Sequence, residues 1–300
     1  MGGYEAHPPK PPIGGLVRSE AARETRAAPL VPSEPLSTHG IDVEVVRRGA
    51  GPPLLLLHGF ANVPPDAPFL DLLGRHAEVI APSHPGFGKT SRPAAFDSLY
   101  DLVHFYLEWI DRLPHERIAL VGLSFGGWLA AEVAVACPHR LERLVLVDAV
   151  GIKVSGPDTP DITDIFNTSP AEVHRRSWHD PDAWKLDFDA MEDDEIVVHH
   201  RNRESLCRYA WHPYMYNPSL ARWLRRIAVP TLMLWGESDR IVTPSYGRAY
   251  AGLIPGARFE LIERAGHHPE IEQPEAFAAR VAAFLAEETD GAVSPRRTES

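Results

Sequence analysis

Between Arg117 and Ala131 a short apolar run, Ile118-Ala119-Leu120-Val121, passes into Gly122-Leu123-Ser124-Phe125-Gly126-Gly127 and then into an alanine-rich segment. Strand formers, clustered glycines and helix formers in succession predict a strand, a tight turn and a helix, with Ser124 at the apex. Glycine two residues before and two after the serine lets the backbone turn sharply enough to expose Oγ at the strand end, as in a nucleophile elbow. The helix N-terminus adds amides and a positive dipole end where a negative oxygen develops during acyl transfer. The pentapeptide alone is weak, because G-x-S-x-G also occurs in glycine-containing loops with no chemistry. The surrounding sequence carries the argument.

Three further features fall in the order that an elbow serine requires, which is serine, acid, histidine. Pro230-Thr231-Leu232-Met233-Leu234-Trp235 reads as a buried strand, and Gly236-Glu237-Ser238-Asp239 follows as its turn, placing Asp239 at a strand's carboxyl end. Phe259-Glu260-Leu261-Ile262 reads as a second strand, and Ala265-Gly266-His267-His268-Pro269 leaves it as a loop. Upstream, Leu54-Leu55-Leu56-Leu57 is the uninterrupted apolar run of a strand covered on both faces, and it ends in His58-Gly59-Phe60.

With these residues in hand, the chain resembles the α/β-hydrolase superfamily over about residues 36 to 287. The matching elements are His58-Gly59-Phe60, Pro85-Gly86-Phe87-Gly88, the Ser124 turn, Gly236-Glu237-Ser238-Asp239 and Gly266-His267, all in the family's order. One departure is visible: Ser83-His84 precedes Pro85 where such proteins often carry an aspartate, which implies a changed local hydrogen-bond arrangement. The resemblance implies catalysis by Ser124, Asp239 and His267, with the backbone amides of Phe60 and Phe125 as the oxyanion hole. His268 competes with His267 for the base, but the family's imidazole directly follows the glycine. Asp148 also ends a strand and competes with Asp239, since some relatives carry the acid at the earlier position. His58 is expected to brace the oxyanion loop rather than transfer protons.

The coarse pattern alternates strand and helix: strands at 41–48, 54–58, 78–82, 118–121 and 144–147, helices at 96–113 and 125–137. This predicts an α/β fold, a doubly wound and mostly parallel sheet. From about Gly151 to Pro218 the alternation breaks and the composition turns to Asp, His, Trp, Tyr and Arg. That segment looks like a helical cap inserted after the strand ending at Asp148, the family's strand 6, with helices expected at 170–178, 181–184 and 193–209. The core is therefore read as 36–150 and 219–287 and the cap as 151–218. Residues 1–35, rich in proline, glycine and alanine, read as a flexible arm, and 288–300 as a disordered tail. Trp178, Trp184, Trp211 and Tyr214, with His268 beside the base, are candidates to line a substrate pocket; for each aromatic, packing between cap and core is the competing reading. His199 and His200 are adjacent on a helix and point in different directions, so they read as surface or cap-packing residues rather than metal ligands.

Serine at the elbow argues against the haloalkane dehalogenase and epoxide hydrolase members, which place an aspartate there. Hydrolysis of a small carboxylic ester is the default expectation. The runner-up is cleavage of a carbon–carbon bond in a vinylogous diketone, as in ring-cleavage-product hydrolases, which need a cationic group for the substrate carboxylate; Arg201, Arg203 and Arg208 are the candidates, although a solvated face is the favoured reading of all three. A haloperoxidase-like side activity and a receptor with little turnover also fit the residues. None of these chemistries calls for a metal or organic cofactor. A net charge of −11 over 300 residues argues against a nucleic-acid partner, and no apolar run approaches the roughly 20 residues that span a bilayer. Cys137 and Cys207 form no disulfide framework, which suits a reducing, cytoplasmic setting. The expected partner is a small-molecule substrate, and a homodimer is compatible with the sequence.

Overall fold

The structure is a computed structural model that describes residues 40–184 and 191–288. The expected arm (1–35) and all of the expected tail except Glu288 lie outside the described residues. Seven strands form one sheet: β1 (Val45–Arg48), β2 (Pro53–Leu57), β3 (Glu78–Pro82), β4 (Ile118–Leu123), β5 (Leu141–Val147), β6 (Thr231–Gly236) and β7 (Arg258–Ile262), in the order β1-β3-β2-β4-β5-β6-β7. All pairings are parallel except that of β1 with β3. The strand before the expected cap is thus fifth among the described strands. The expected first strand is shortened to Val45–Arg48, because Glu44 N donates to the Thr90 hydroxyl at 3.0 Å instead of to a neighbouring strand.

Strand β2 shows why the sheet needs cover on both faces. Leu54 and Leu56 enter one core with Val79, Val121, Val145 and Phe277, whereas Leu55 and Leu57 enter the other with Ile80, Leu120, Leu144 and Met233. The period of two sends alternate side chains to opposite faces. The first face is covered by α1 (Pro68–Leu73) and, at the far end of the chain, by the helix at Pro274–Ala286; the second is covered by α2 (Leu99–Arg112) and α3 (Phe125–Ala136).

The order β3-β2-β4 means that the chain leaves β2 in one direction and returns on its other side, so a crevice opens at the carboxyl ends of β2 and β4. Leu57 pairs with Gly122, which sets His58-Gly59 beside Leu123-Ser124. Between β5 and β6 lie α4 (Pro170–Ser177), α5 (Asp193–Ala210) and α6 (Leu220–Trp223). The helix expected at 181–184 is a turn, with Ala183 N reaching Asp180 O at 3.1 Å and Asp180 Oδ1 at 3.2 Å. The aspartate captures the amide that a longer helix would use. After β6 come α7 (Pro244–Ala251), α8 (Pro269–Glu272) and α9 (Pro274–Ala286). Among the described residues no helix is long and apolar enough to cross a membrane.

Candidate active site

Ser124 occupies φ 50°, ψ −110°, a region that non-glycine residues enter only when their surroundings hold them. What holds it is a set of main-chain bonds: Ser124 N donates to Val147 O at 2.8 Å, and Ser124 O accepts from Gly127 N at 2.9 Å and Trp128 N at 3.2 Å. The flanking glycines permit the close approach that this requires. A Cβ on Gly126 would lie 2.2 Å from Leu57 O, and one on Gly122 would lie 2.4 Å from Gly126 O. The sharp turn leaves Ser124 partly exposed at the sheet edge.

From that position Ser124 Oγ is 2.8 Å from His267 Nε2, and His267 Nδ1 is 2.8 Å from Asp239 Oδ2. The other Asp239 oxygen accepts from Ile241 N at 2.8 Å and Val242 N at 3.1 Å. The tight turn after β6 therefore points the carboxylate and satisfies it with its own backbone. Asp239 is 2% and His267 8% exposed, dry enough for their hydrogen bond to resist competition from water. His268 does not take the base position; its Nδ1 lies 3.7 Å from Glu270 Oε1. Asp148, the competing acid, accepts from Gly236 N at 2.9 Å, while the imidazole's bond goes to Asp239.

The loop bearing His267 is tied down from the inserted segment. His267 N donates to Ser177 O at 2.7 Å, and His179 Nδ1 lies 2.8 Å from Ser238 Oγ. Glu272 accepts from Gly266 N at 2.5 Å and from His179 N at 3.0 Å, and burial raises its pKa against those bonds. Sequence reasoning missed Glu272. The available signal was an acid five residues beyond the histidine, within the first turn after Pro269.

The loop after β2, where an oxyanion-hole amide is expected, is held by two buried imidazoles. Gly59 packs so closely on Ser124 that a Cβ there would sit 3.2 Å from Ser124 Cβ. His58 Nε2 accepts from His84 N at 2.9 Å, so its Nδ1 carries the hydrogen that is shared with Gly59 O at 2.9 Å. His84 Nε2 in turn donates to His58 O at 2.9 Å, and His84 Nδ1 accepts from Tyr106 OH at 2.6 Å. The rings stack at 3.7 Å. Burial pushes His58 down to about 4 and holds His84 well below the usual histidine range, so both are neutral near pH 7. In the Ser83-His84 stretch that departs from the family's pattern, His84 is the residue that clamps this loop, and His58 braces it by hydrogen bonding.

The candidate pocket residues divide into two groups. Trp178 stacks on Trp184 at 5.2 Å and lies 4.7 Å from His268, adjoining the His267 loop. Trp211, 52% exposed, and Tyr214 gather instead around Phe166, at 5.7 and 6.2 Å. Tyr214 is further committed to the backbone at Thr163 O and Ile165 N. His199 sits edge-on to Phe60 at 5.5 Å, so α5 reaches the oxyanion loop by packing. Among the described residues, the one group of three potential metal donors within 4.8 Å is Asp148, Asp239 and His267. Two of its members are already engaged as partners of one another.

An elbow serine, an imidazole and a carboxylate joined in this way on this sheet match one lineage, and the alpha/beta hydrolase family matches residues 54–280. The chain belongs to the alpha/beta hydrolase family. It is 30% identical over 277 residues to a 2-hydroxy-6-oxo-2,4-heptadienoate hydrolase of Pseudomonas putida, covering 83% of this chain and 94% of that one. It is 29% identical over 258 residues to a poly(3-hydroxyalkanoate) depolymerase of Ectopseudomonas oleovorans, with coverage of 83% and 89%. A meta-cleavage product hydrolase of Pseudomonas fluorescens IP01 has the same fold, with a TM-score of 0.67 at 23% identity over 84% of this chain and 97% of that one. Family and relatives together make this family member a hydrolase.

Proposed function

We propose that this family member hydrolyses small carboxylic esters through an acyl-enzyme on Ser124. The observation that carries the reading is the continuous hydrogen-bonded chain from Ser124 Oγ through His267 to Asp239. In this mechanism Oγ attacks the acyl carbon and its proton passes to His267 Nε2. Asp239 holds the Nδ1–H, fixes the tautomer and stabilises the imidazolium as it forms. The amides of Phe60 and Phe125 receive the oxyanion, where a single donor is worth on the order of 3 kcal/mol. The imidazolium then protonates the leaving alcohol. Water attacks the acyl-enzyme, His267 takes its proton, and the acid leaves with Ser124 restored. Metal and organic cofactors have no step in this scheme. Residues 151–218 act as the cap, with the stack of Trp178, Trp184 and His268 beside His267 as part of its wall.

The engagement of Arg201 and Arg203 with backbone carbonyls supports an ester over an anionic dienoate. Arg201 donates to Gly88 O and Thr90 O at 3.2 and 2.8 Å; Arg203 bonds Ile165 O at 3.3 Å and lies over the Phe166 ring; Arg208 pairs with Glu204 at 3.3 Å. Arg201 and Arg203 are engaged by backbone carbonyls of this protein, whereas Arg208 is held by an exposed pair. The second reading, carbon–carbon hydrolysis of an oxo-dienoate, is favoured by the relative from Pseudomonas putida. Steady-state hydrolysis of p-nitrophenyl esters of graded acyl length, run beside a 2-hydroxy-6-oxo-dienoate, tests both. The expected result is multiple turnover of the esters, abolished together with fluorophosphonate labelling in Ser124→Ala. Dienoate cleavage with idle esters would replace the ester reading by the second, and labelling with neither turnover would point to a binding role.

A further inference from the structure

Behind the catalytic chain stands a second carboxyl with no assigned task. Asp148 follows β5 at φ 44°, a left-handed conformation that aspartate and asparagine tolerate better than other side-chain-bearing residues. Its N donates to Leu234 O at 3.0 Å and its Oδ1 accepts from Gly236 N at 2.9 Å, so it staples the ends of β5 and β6 together. It is 1% exposed, and Oδ2 is buried without a hydrogen-bond donor. One oxygen of Asp148, one of Asp239 and a ring nitrogen of His267 all lie within 4.8 Å of one another. Glu270, 7% exposed, also faces Asp148 and adds negative charge.

Two ionised carboxylates cannot share so small a dry volume without strong repulsion, and an oxygen in hydrogen-bonding reach of a carboxylate can be satisfied only by carrying a proton. We propose that Asp148 is the protonated member of a carboxylic acid–carboxylate pair, donating its proton to the Asp239 carboxylate and so acting as a positioning residue for the acid of the triad. Burial first, then the charge of Asp239, raises the Asp148 pKa well above the usual carboxylate range, in keeping with that state. The assignment satisfies the otherwise orphaned oxygen. It also gives Asp239 a partner on each side: the Ile241 and Val242 amides and His267 from its own turn and β7 loop, Asp148 from the end of β5. No bond to substrate is made or broken by Asp148; its proton stays within the pair throughout turnover.

The inference rests on Ser124, His267 and Asp239 acting as the triad, but its principal test does not depend on turnover. Infrared spectra of the full chain at neutral pH, with and without 13C-aspartate labelling, should show the carbonyl stretch of a buried protonated carboxylic acid that shifts with the label. The band should persist in Ser124→Ala, which leaves the pair intact, and disappear in Asp148→Asn. Asparagine suits the backbone at this position, keeps an acceptor for Gly236 N and donates to Asp239 as the acid does. Asp148→Asn should therefore keep kcat within about threefold and leave the acidic limb of the kcat/KM profile in place, because no charge is removed. Asp148→Gly accepts the same backbone but removes the donor; kcat should fall about tenfold or more with KM little changed. A label-sensitive acid band absent from the wild-type protein overturns the proposal even if no variant folds. So does a shift of the acidic limb to lower pH in Asp148→Asn, since only loss of a negative charge beside His267 would produce it.

Discussion

The carboxyl edge of the sheet and the segment between β5 and β6 touch the same His267 loop but are built by different physics. At the sheet edge each candidate group is aimed by backbone immediately beside it: Ser124 by its own amide and carbonyl, Asp239 by the Ile241 and Val242 amides. The strands beneath are almost wholly buried apolar runs. In residues 151–218 the long helix α5 buries few side chains, among them Asn202, Ser205, Leu206 and Tyr209. It holds the core through side chains that reach distant carbonyls and amides: Ser205 Oγ to Gly86 O at 2.7 Å, Tyr209 OH to Pro85 O at 3.0 Å, and Gly88 N to Asn202 Oδ1 at 2.9 Å. The geometry of Ser124 and Asp239 is set by short-range backbone, whereas the inserted segment is held to the core by side chains that reach distant backbone groups.

The sharpest way to break this contrast is at the reactive groups themselves. Ser124→Ala and His267→Ala should each lower ester turnover by about 10⁴-fold or more, and Asp239→Asn steeply, with circular dichroism and melting temperature close to wild type. If His268→Ala proved the more damaging change, the base would be misassigned. Next in size is the backbone of the elbow. Gly126→Ala drives a methyl onto Leu57 O and should cost at least about 3 kcal/mol in urea unfolding. Gly156→Ala, in the inserted segment with open space around it, should stay within about 0.5 kcal/mol. Equal effects at the two glycines would erase the distinction.

The imidazole brace gives the sheet side a pH signature of its own. With the His58 pKa at about 4 in the fold and 6.5 when unfolded, the unfolded chain binds the extra proton as pH falls. That histidine should then remove about 2 kcal/mol of stability between pH 7 and pH 5. His84 and, in α5, His199 act in the same direction, while the raised pKa values of Asp148, Glu132 and Glu272 act in the other. The comparison to make is the pH slope of urea unfolding in wild type against His58→Gln, whose slope should be less steep on the acid side. A smaller loss is expected for Asn202→Ala, which orphans the buried Gly88 amide: about 1–3 kcal/mol, and a change in KM larger than that in kcat. Smallest is the exposed Arg208–Glu204 pair, where Arg208→Ala should move stability by less than about 1 kcal/mol.

Much of the site was legible before any coordinates because its signals are local. A strand run, a glycine-bounded serine and a helix-forming stretch fix the Ser124 turn within ten residues, and the turns bearing Asp239 and His267 follow their strands directly. The aromatic residues of 151–218 were not separable in the same way. Trp178 and Trp184 stack beside His268, while Trp211 and Tyr214 gather around Phe166, and nothing in their spacing distinguishes the two fates. The reach of Glu272 back to Gly266 and His179 was equally hidden, since it depends on how α4 is laid against the loop.

The sequence by itself determined the α/β class, the order serine–acid–histidine along the chain and the strand ends where those residues stand, because periodicity and turn chemistry act over a few neighbouring residues. Only the tertiary structure decided which acid faces the imidazole, that His84 closes on His58, and that Asp148 and Asp239 are confined together. Those choices depend on strands β2, β4, β5 and β6 lying side by side, which brings residues separated by tens to over a hundred positions within hydrogen-bond reach. Local sequence carries no record of such distances, and the dry space they enclose is what gives each proton its place.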